Sequence, residues 1–347
     1  MEETPEILEN VPLAPLTTFQ MNGTARYFAK ATKPSDTPFL CDKAKELCLP
    51  LYILGGGSNT IFADSLINKL VIQIAIESFE ILEEDSEKVL IKAGAGNNWD
   101  EVVKKSVEMG LFGIEAMSAV PGTVGGAPVQ NMGAYGQEIK DILVYVEAYD
   151  VLLEGSPQVK VVKLENKDCN FSYRNSIFKQ NFGRYIITAV VLELSKKIKG
   201  GSNYPSLKKY FEEKGIEPKS SEDIRNAVIK IRKAKLPDPK EIPNAGSFFK
   251  NPIVSKESFL ELKNKFSDIP SFANNEDYKI PAGWLIDQCG LKGFKKENFG
   301  LYEKNALICV HNGKGTMKEL QEFVKLIQEK VSEKFGLNLE VEPVFVN

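Results

Sequence analysis

Histidine is nearly absent: the chain of 347 residues has one, His311. Zinc motifs of the HExxH kind are therefore excluded, and a Ser–His triad would need that single ring. His311 follows the apolar run 306–310 and precedes Asn312 and Gly313, the pattern of a strand end entering a turn. Acid–base chemistry then falls to carboxylates, lysine, tyrosine, serine or a bound cofactor. Cysteine is sparse too: the five, at 41, 48, 169, 289 and 309, form no CxxC pair and make an odd total. Dispersed thiols of this kind fit a reducing cytoplasm, and no metal site is expected. Net charge is small, 44 Lys plus Arg against 47 Asp plus Glu, which argues against nucleic acid or an anionic membrane as the main partner. No apolar run approaches the length of a membrane span. The start, MEETPEILENVPLAPLTTF, is acidic and lacks the apolar segment of a signal peptide.

Two phosphate-loop templates are also missing. No Lys-Ser/Thr follows the glycines of LGGGSN at 54–59, so this is no Walker loop, and no cluster reads G-x-G-x-x-G. What is present instead is a set of small-residue runs. The longest, SAVPGTVGGAPVQNMGAYG at 118–136, is too small-sided and polar for a core strand or an ordinary helix. Glycine lets such a backbone come within contact distance of a partner, and its successive N–H groups attract anions. Gln130 and Asn131 add side-chain donors and acceptors able to read a ring edge. A loop of this length inside a compact domain is uncommon unless functional, so it reads as a wrap along a phosphate-bearing cofactor. The run AGAGNNW at 93–99 repeats the chemistry of 54–59.

The rest of the chain reads as alternating strands and helices. Residues 51–54 and 70–76 are strands, 79–82 and 89–93 a hairpin around the acidic turn 83–87, and 99–109 a helix closed by Gly110. Residues 145–153 and 159–164 form a second hairpin, and 185–194 a long strand. FSYRNSIFK at 171–179 sets Arg174 among aromatics, either as a structural stack or as a half-buried cation aimed inward, and composition weighs the two evenly. Composition changes around 200–204, which marks a boundary. Helices are expected at 221–234, 255–266, 281–289 and 316–335, the last with a Thr316–Glu319 capping box. Residues 305–310 and 337–346 are expected as strands, and a carboxylate such as Glu342 on an alternating strand usually faces solvent.

In order along the chain, LGGGSN, AGAGNNW, PGTVGGAPVQNMGAYG at 121–136, FSYRNSIFK, KLPDP at 235–239, NAGSFFKNP at 244–252, PAGWLIDQCG at 281–290 and NALI at 305–308 resemble the UDP-N-acetylenolpyruvoylglucosamine reductase family. These motifs extend over nearly the whole chain. The resemblance implies an α+β protein: an FAD-binding fold of two subdomains, like that of vanillyl-alcohol-oxidase flavoproteins, plus an α+β substrate-binding domain. It places the first subdomain at 1–75, with 336–347 returning to it, the second at 76–235 and the substrate-binding domain at 236–335.

The same matches imply the site residues. Gly55, Gly56, Gly57, Ser58 and Asn59, with Pro121, Gly122, Thr123, Gly125 and Gly126, fall along the FAD pyrophosphate. Gln130, Asn131, Gly133, Ala134 and Tyr135 fall near its ring system. Arg174, Ser247 and Glu342 match the catalytic residues, and Tyr204, Lys235, Asn251 and Asn305 the UDP-sugar contacts. Pro243 stands where a glycine is common, and Pro343 where many members have a β-former. With His311 outside the FAD part, the flavin is expected to be non-covalent. The activity implied is NADPH-dependent, FAD-mediated reduction of UDP-N-acetylglucosamine enolpyruvate to UDP-N-acetylmuramate, in peptidoglycan precursor synthesis. The enzyme is expected to be a cytoplasmic monomer with no nucleic-acid or membrane partner. The alternatives are an FAD-dependent sugar or alcohol oxidase on the same scaffold, which makes hydrogen peroxide, and a catalytically inactive nucleotide-sugar-binding protein.

Overall fold

The computed structural model describes residues 4–151, 159–198 and 204–347. The chain divides into two compact units. One holds the described residues through Val11 with Ala25–Gly56 and Asn68–Ala234; the other holds Pro12–Thr24, Gly57–Ile67 and Lys235–Asn347.

The first unit is built on two sheets around one core. In the smaller sheet the order is Ile7–Pro12, Thr24–Ala31, Leu66–Ile74, Leu51–Leu54. The last two run parallel, with Leu51 opposite Leu70 and Leu54 opposite Gln73. The larger sheet is antiparallel, in the order Lys160–Glu165, Leu143–Asp150, Tyr185–Ser195, Lys88–Gly94, Phe79–Glu84. Tyr185–Ser195 is central and buried on both faces, which is why YIITAVVLELS is apolar apart from Thr188, Glu193 and Ser195. Leu70, Ile72, Val89, Ile91, Val190 and Leu192 meet in this core. The acidic turn expected between Phe79–Glu84 and Lys88–Gly94 is closed by Asp85, whose carboxylate accepts the N–H groups of Glu87 and Lys88.

Helix Trp99–Glu108 packs on the core through Trp99, Val102, Val103 and Val107. Asn98 caps it by accepting from Glu101 N at 3.2 Å. Gly110, one residue past the C-cap, takes φ 73°. Helices Pro205–Lys214 and Ser221–Lys235 form a small second core of Leu207, Phe211, Ile224, Ala227 and Val228, packed on Ala116. The boundary expected at 200–204 lies largely outside the described residues.

In the second unit, Asn244–Ser247, Asn305–His311, Phe299–Tyr302 and Lys295–Lys296 make a four-stranded sheet. The helix Met317–Phe335 opens on the expected capping box: Thr316 accepts from Glu319 N, and Glu319 accepts from Thr316 N. Leu320, Phe323, Ile327 and Val331 bury its inner face. Val344–Val346 pairs in parallel with Thr60–Phe62.

One strand is shorter than expected. Of 337–346, only Val344–Val346 is regular strand. Residues 340–342 instead run beside 248–250, through Lys250 N to Glu340 O at 2.8 Å and Glu342 N to Phe248 O at 2.9 Å. Pro343 offers no N–H to extend that ladder. Glu342 is 7 % exposed, so the expectation that it faces solvent is also corrected.

Candidate active site

Parts of the three glycine-rich runs, 55–56, 95–99 and 121–126, converge in the first unit. Val124 N donates to Asn97 O, Gly125 N to Ala95 O, and Trp99 N to Gly122 O, at 2.9–3.1 Å. The loop 121–126 is thereby laid on 95–99. The other neighbour is the end of strand Leu51–Leu54. A Cβ on Gly56 would stand 2.8 Å from Gly122 Cα, and one on Gly125 2.6 Å from Ala95 Cβ. Backbone packs on backbone at these points, and any larger residue would separate the loops. Gly122 itself takes φ 127°, open to glycine but not to residues with a Cβ.

Thr123 lies at the centre of this convergence. Its hydroxyl oxygen is buried and has no hydrogen-bond partner among the described residues. It sits 2.8 Å from where a Cβ on Gly55 would be and 3.7 Å from one on Gly126. An orphaned hydroxyl flanked by two side-chain-free residues fits a loop made to receive a polar ligand. The residues present therefore fit the phosphate end of a dinucleotide such as FAD.

The other half of the long loop is tied to the FSYRNSIFK run by three bonds. Ser176 Oγ donates to Val129 O at 2.6 Å, Asn131 Nδ2 to Ser172 O at 3.2 Å, and Arg174 Nη2 to Gly133 O at 3.3 Å. Arg174 is half-buried with φ 53°, and its guanidinium also lies 5.5 Å from the Tyr173 ring centre. Ala119, Asn131 and Tyr135 share that left-handed backbone at φ 57°, 44° and 50°. Such strain in residues other than glycine persists only where surrounding contacts dictate it, and it concentrates at functional sites.

Asn131 differs in detail from the sequence reading. Its side chain is 1 % exposed; Nδ2 also donates to Glu138 Oε2 and Oδ1 accepts from Lys140 N. It shapes the loop from inside. Tyr135 meets Tyr204 edge to face at 5.5 Å, and Tyr204 also lies against Gly136. Burial pushes both phenols above their ordinary range; at Tyr135 the Arg232 guanidinium acts against that rise.

Sequence reasoning missed four residues here, Arg232, Asp100, Arg225 and Glu115. Arg232 lies close enough to Tyr135 for the two charges to act on each other, and burial lowers its guanidinium. Asp100 pairs with Arg225, Nη1 to Oδ1 at 2.6 Å. Glu115, 0 % exposed, accepts from Gly113 N and Gln137 Nε2, and burial pushes its carboxyl up. The available signal was Arg225 and Arg232, two turns apart on one helix beside its apolar stripe.

In the second unit, Ser247 and Glu342 come together. Ser247 stands opposite Ile308, and the next residue, Phe248, accepts the Glu342 N–H. Asn59 reinforces the segment: its Nδ2 donates to Glu342 O at 3.3 Å, and its carbonyl accepts from Val344 N. Asn244 ties the KLPDP run to the NAGS run by donating to Ile242 O and Pro237 O, and its Oδ1 accepts Gly246 N. Lys235 is exposed at the start of this turn. Asn251 Oδ1 accepts Ala282 N at 2.8 Å, at the first turn of helix Ala282–Gln288, and Asn305 Oδ1 lies 3.8 Å from a Cβ built on Gly283. Two of the four predicted sugar contacts, Asn251 and Asn305, therefore border one helix end.

Residues 25–155 match an FAD binding domain, and residues 238–346 match the UDP-N-acetylenolpyruvoylglucosamine reductase, C-terminal domain. The UDP-N-acetylenolpyruvoylglucosamine reductase of Bdellovibrio bacteriovorus is 41 % identical over 98 % of this chain and 99 % of its own length. That of Chromobacterium violaceum is 37 % identical over 97 % and 98 %. In fold, the solved UDP-N-acetylenolpyruvylglucosamine reductase of Thermus caldophilus superposes with a TM-score of 0.67, at 23 % identity over 99 % of each chain. With FAD-binding and C-terminal domains both matched and full-length relatives this similar, the chain belongs to the UDP-N-acetylenolpyruvoylglucosamine reductase family.

Proposed function

We propose that this chain uses FAD to reduce UDP-N-acetylglucosamine enolpyruvate to UDP-N-acetylmuramate, with NADPH as hydride donor, in peptidoglycan precursor synthesis. When bound, FAD would supply the two-electron chemistry that relays hydride from NADPH to the terminal methylene carbon of the enolpyruvyl ether. Gly55, Gly56, Gly57, Gly122, Gly125 and Gly126, with Ser58, Asn59 and the Thr123 hydroxyl, would hold its pyrophosphate. The backbone of 130–135 lines its ring system.

The chain's own residues manage the charge and the proton. Negative charge develops on the substrate carbon beside the reduced one and spreads into the carboxylate. Arg174, fixed on the Gly133 carbonyl, stabilises that enolate by charge-assisted hydrogen bonds. Ser247 delivers the proton that completes the lactyl ether; a hydroxyl is a weak acid, but an enolate is a strong base. Glu342 in its protonated form donates a hydrogen bond to the substrate, and its backbone N–H holds the segment that follows Ser247. Lys235 takes the diphosphate as a flexible point charge, and Tyr204, Asn251 and Asn305 contact the UDP-sugar. The three parts of the chain, 1–75 with 336–347, 76–235 and 236–335, act as two FAD subdomains and a substrate domain.

The observation that carries this reading is the Glu342 N to Phe248 O bond, which brings Glu342 beside Ser247 from a distant part of the chain. The test separates the half-reactions. Ser247→Ala should still bind FAD and still be bleached by NADPH at near wild-type rate. Turnover of the enolpyruvyl substrate should fall by roughly 10²–10⁴-fold, the usual contribution of a positioned general acid. Equal slowing of both halves in anaerobic stopped flow, or of neither, removes Ser247 from the acid role.

A further inference from the structure

Asp100 sits in the first turn of helix Trp99–Glu108 and binds two distant elements at once. Arg225 grips it with two bonds, Nη1 to Oδ1 at 2.6 Å and Nη2 to Oδ2 at 3.0 Å. The same carboxylate accepts Ala119 N at 2.6 Å. The pair is largely enclosed, the Arg225 side chain being 12 % exposed and that of Asp100 30 %. Ala119 is held at φ 57°, a conformation alanine avoids, and it stands two residues before Pro121 and three before Gly122. Two turns beyond Arg225 on its helix, Arg232 lies within electrostatic reach of Tyr135 at the far end of the same loop. Helix Ser221–Lys235 therefore holds the loop at 119 through Asp100, and its Arg232 charge acts on Tyr135 near the other end.

We propose that Asp100, braced by Arg225, is a positioning residue that fixes the strained turn at Ala119 and so sets the 121–126 backbone for the cofactor's phosphates. Without an acceptor for the Ala119 N–H, the left-handed turn loses the contact that dictates it and relaxes. The ion pair alone is not the function: what matters to the ligand is the acceptor, and Arg225 keeps that acceptor charged and aimed. The inference rests on the reading that this loop receives FAD.

The experiment measures FAD affinity by flavin fluorescence on FAD-depleted protein, beside the thermal midpoint of the same samples. Asp100→Ala should weaken FAD binding roughly tenfold or more, the effect expected from losing a bond to a charged acceptor. Asp100→Asn keeps an oxygen for Ala119 and should retain most of the affinity. The exchange Asp100→Arg with Arg225→Asp rebuilds the ion pair but offers Ala119 no acceptor. It should recover the thermal midpoint and leave FAD binding weak. Unchanged affinity in the exchange variant overturns the proposal, even if Asp100→Ala does not fold. So does affinity that merely follows thermal midpoint across the set. A wild-type chain that takes up no FAD would instead sink the cofactor reading beneath it.

Discussion

Single residues in the cradle carry sharp steric demands. At Gly56 a methyl group would press on Gly122 Cα at 2.8 Å, and backbone cannot step aside as a side-chain tip can. Gly56→Ala should cost roughly 1–3 kcal/mol in the stability of the FAD-free protein and lower FAD occupancy together with it. Thermal melts and the flavin-to-protein absorbance ratio of the purified variant check both, and an unchanged ratio would contradict the close approach of the two loops. At this scale the sequence was legible for glycines, because only a special backbone need explains such density. It was not legible for Asn131, whose amide serves the loop's interior, nor for Asp100 with Arg225, whose pairing depends on the fold. Glu342 was misread for the same reason: alternation along a strand cannot reveal that a second segment, 248–250, covers it.

Elements followed local rules where their signal was strong. Helix Met317–Phe335 and its capping box, the central strand Tyr185–Ser195 and helix Trp99–Glu108 stand within a residue or so of where periodicity puts them. Strand Ile7–Pro12 and helix Asp36–Glu46 were not read. The first is mostly exposed and shows no clean alternation; the second carries Pro38 within its first turn, which masks the helical pattern. The strand Asn305–His311 ends as expected, and His311 proves structural. One ring nitrogen, Nδ1, accepts Gly313 N at 2.9 Å, and Nε2 bonds Phe19 O. The ring is packed between Phe19 and Phe299. Burial lowers its pKa below the ordinary 6.5, against the pull of the Phe19 carbonyl. The folded state therefore keeps it neutral where the unfolded chain already binds a proton. Stability from this element is complete above pH 6.5 and is lost as pH falls from there toward the folded value. The thermal midpoint should drop on acidification from about pH 7.5 to 5.5, and the drop should be smaller in His311→Gln. Equal pH slopes in the two proteins would contradict the buried neutral ring.

At the scale of the whole molecule, the order of the motifs was more informative than any one of them. Each compact unit assembles runs that are far apart in sequence. In the first, 55–56, 95–99, 121–136 and 171–179 come together; in the second, 57–59, 235–252, 281–283, 305 and 340–344 do. What sequence order could not supply was which partner each polar group takes. Among the described residues no helix is long and apolar enough to cross a membrane, and no group of metal-ligating side chains forms a metal site. On the reading proposed above, the chemistry rests with a bound flavin and with Arg174, Ser247 and Glu342. The most direct test is an absorbance record of the FAD-loaded protein in an anaerobic cuvette. NADPH should bleach the flavin band, and the enolpyruvyl UDP-sugar, added without oxygen, should restore it while one lactyl ether forms per flavin. A band that returns only when air is admitted, with hydrogen peroxide as the product, would contradict the account and identify an oxidase.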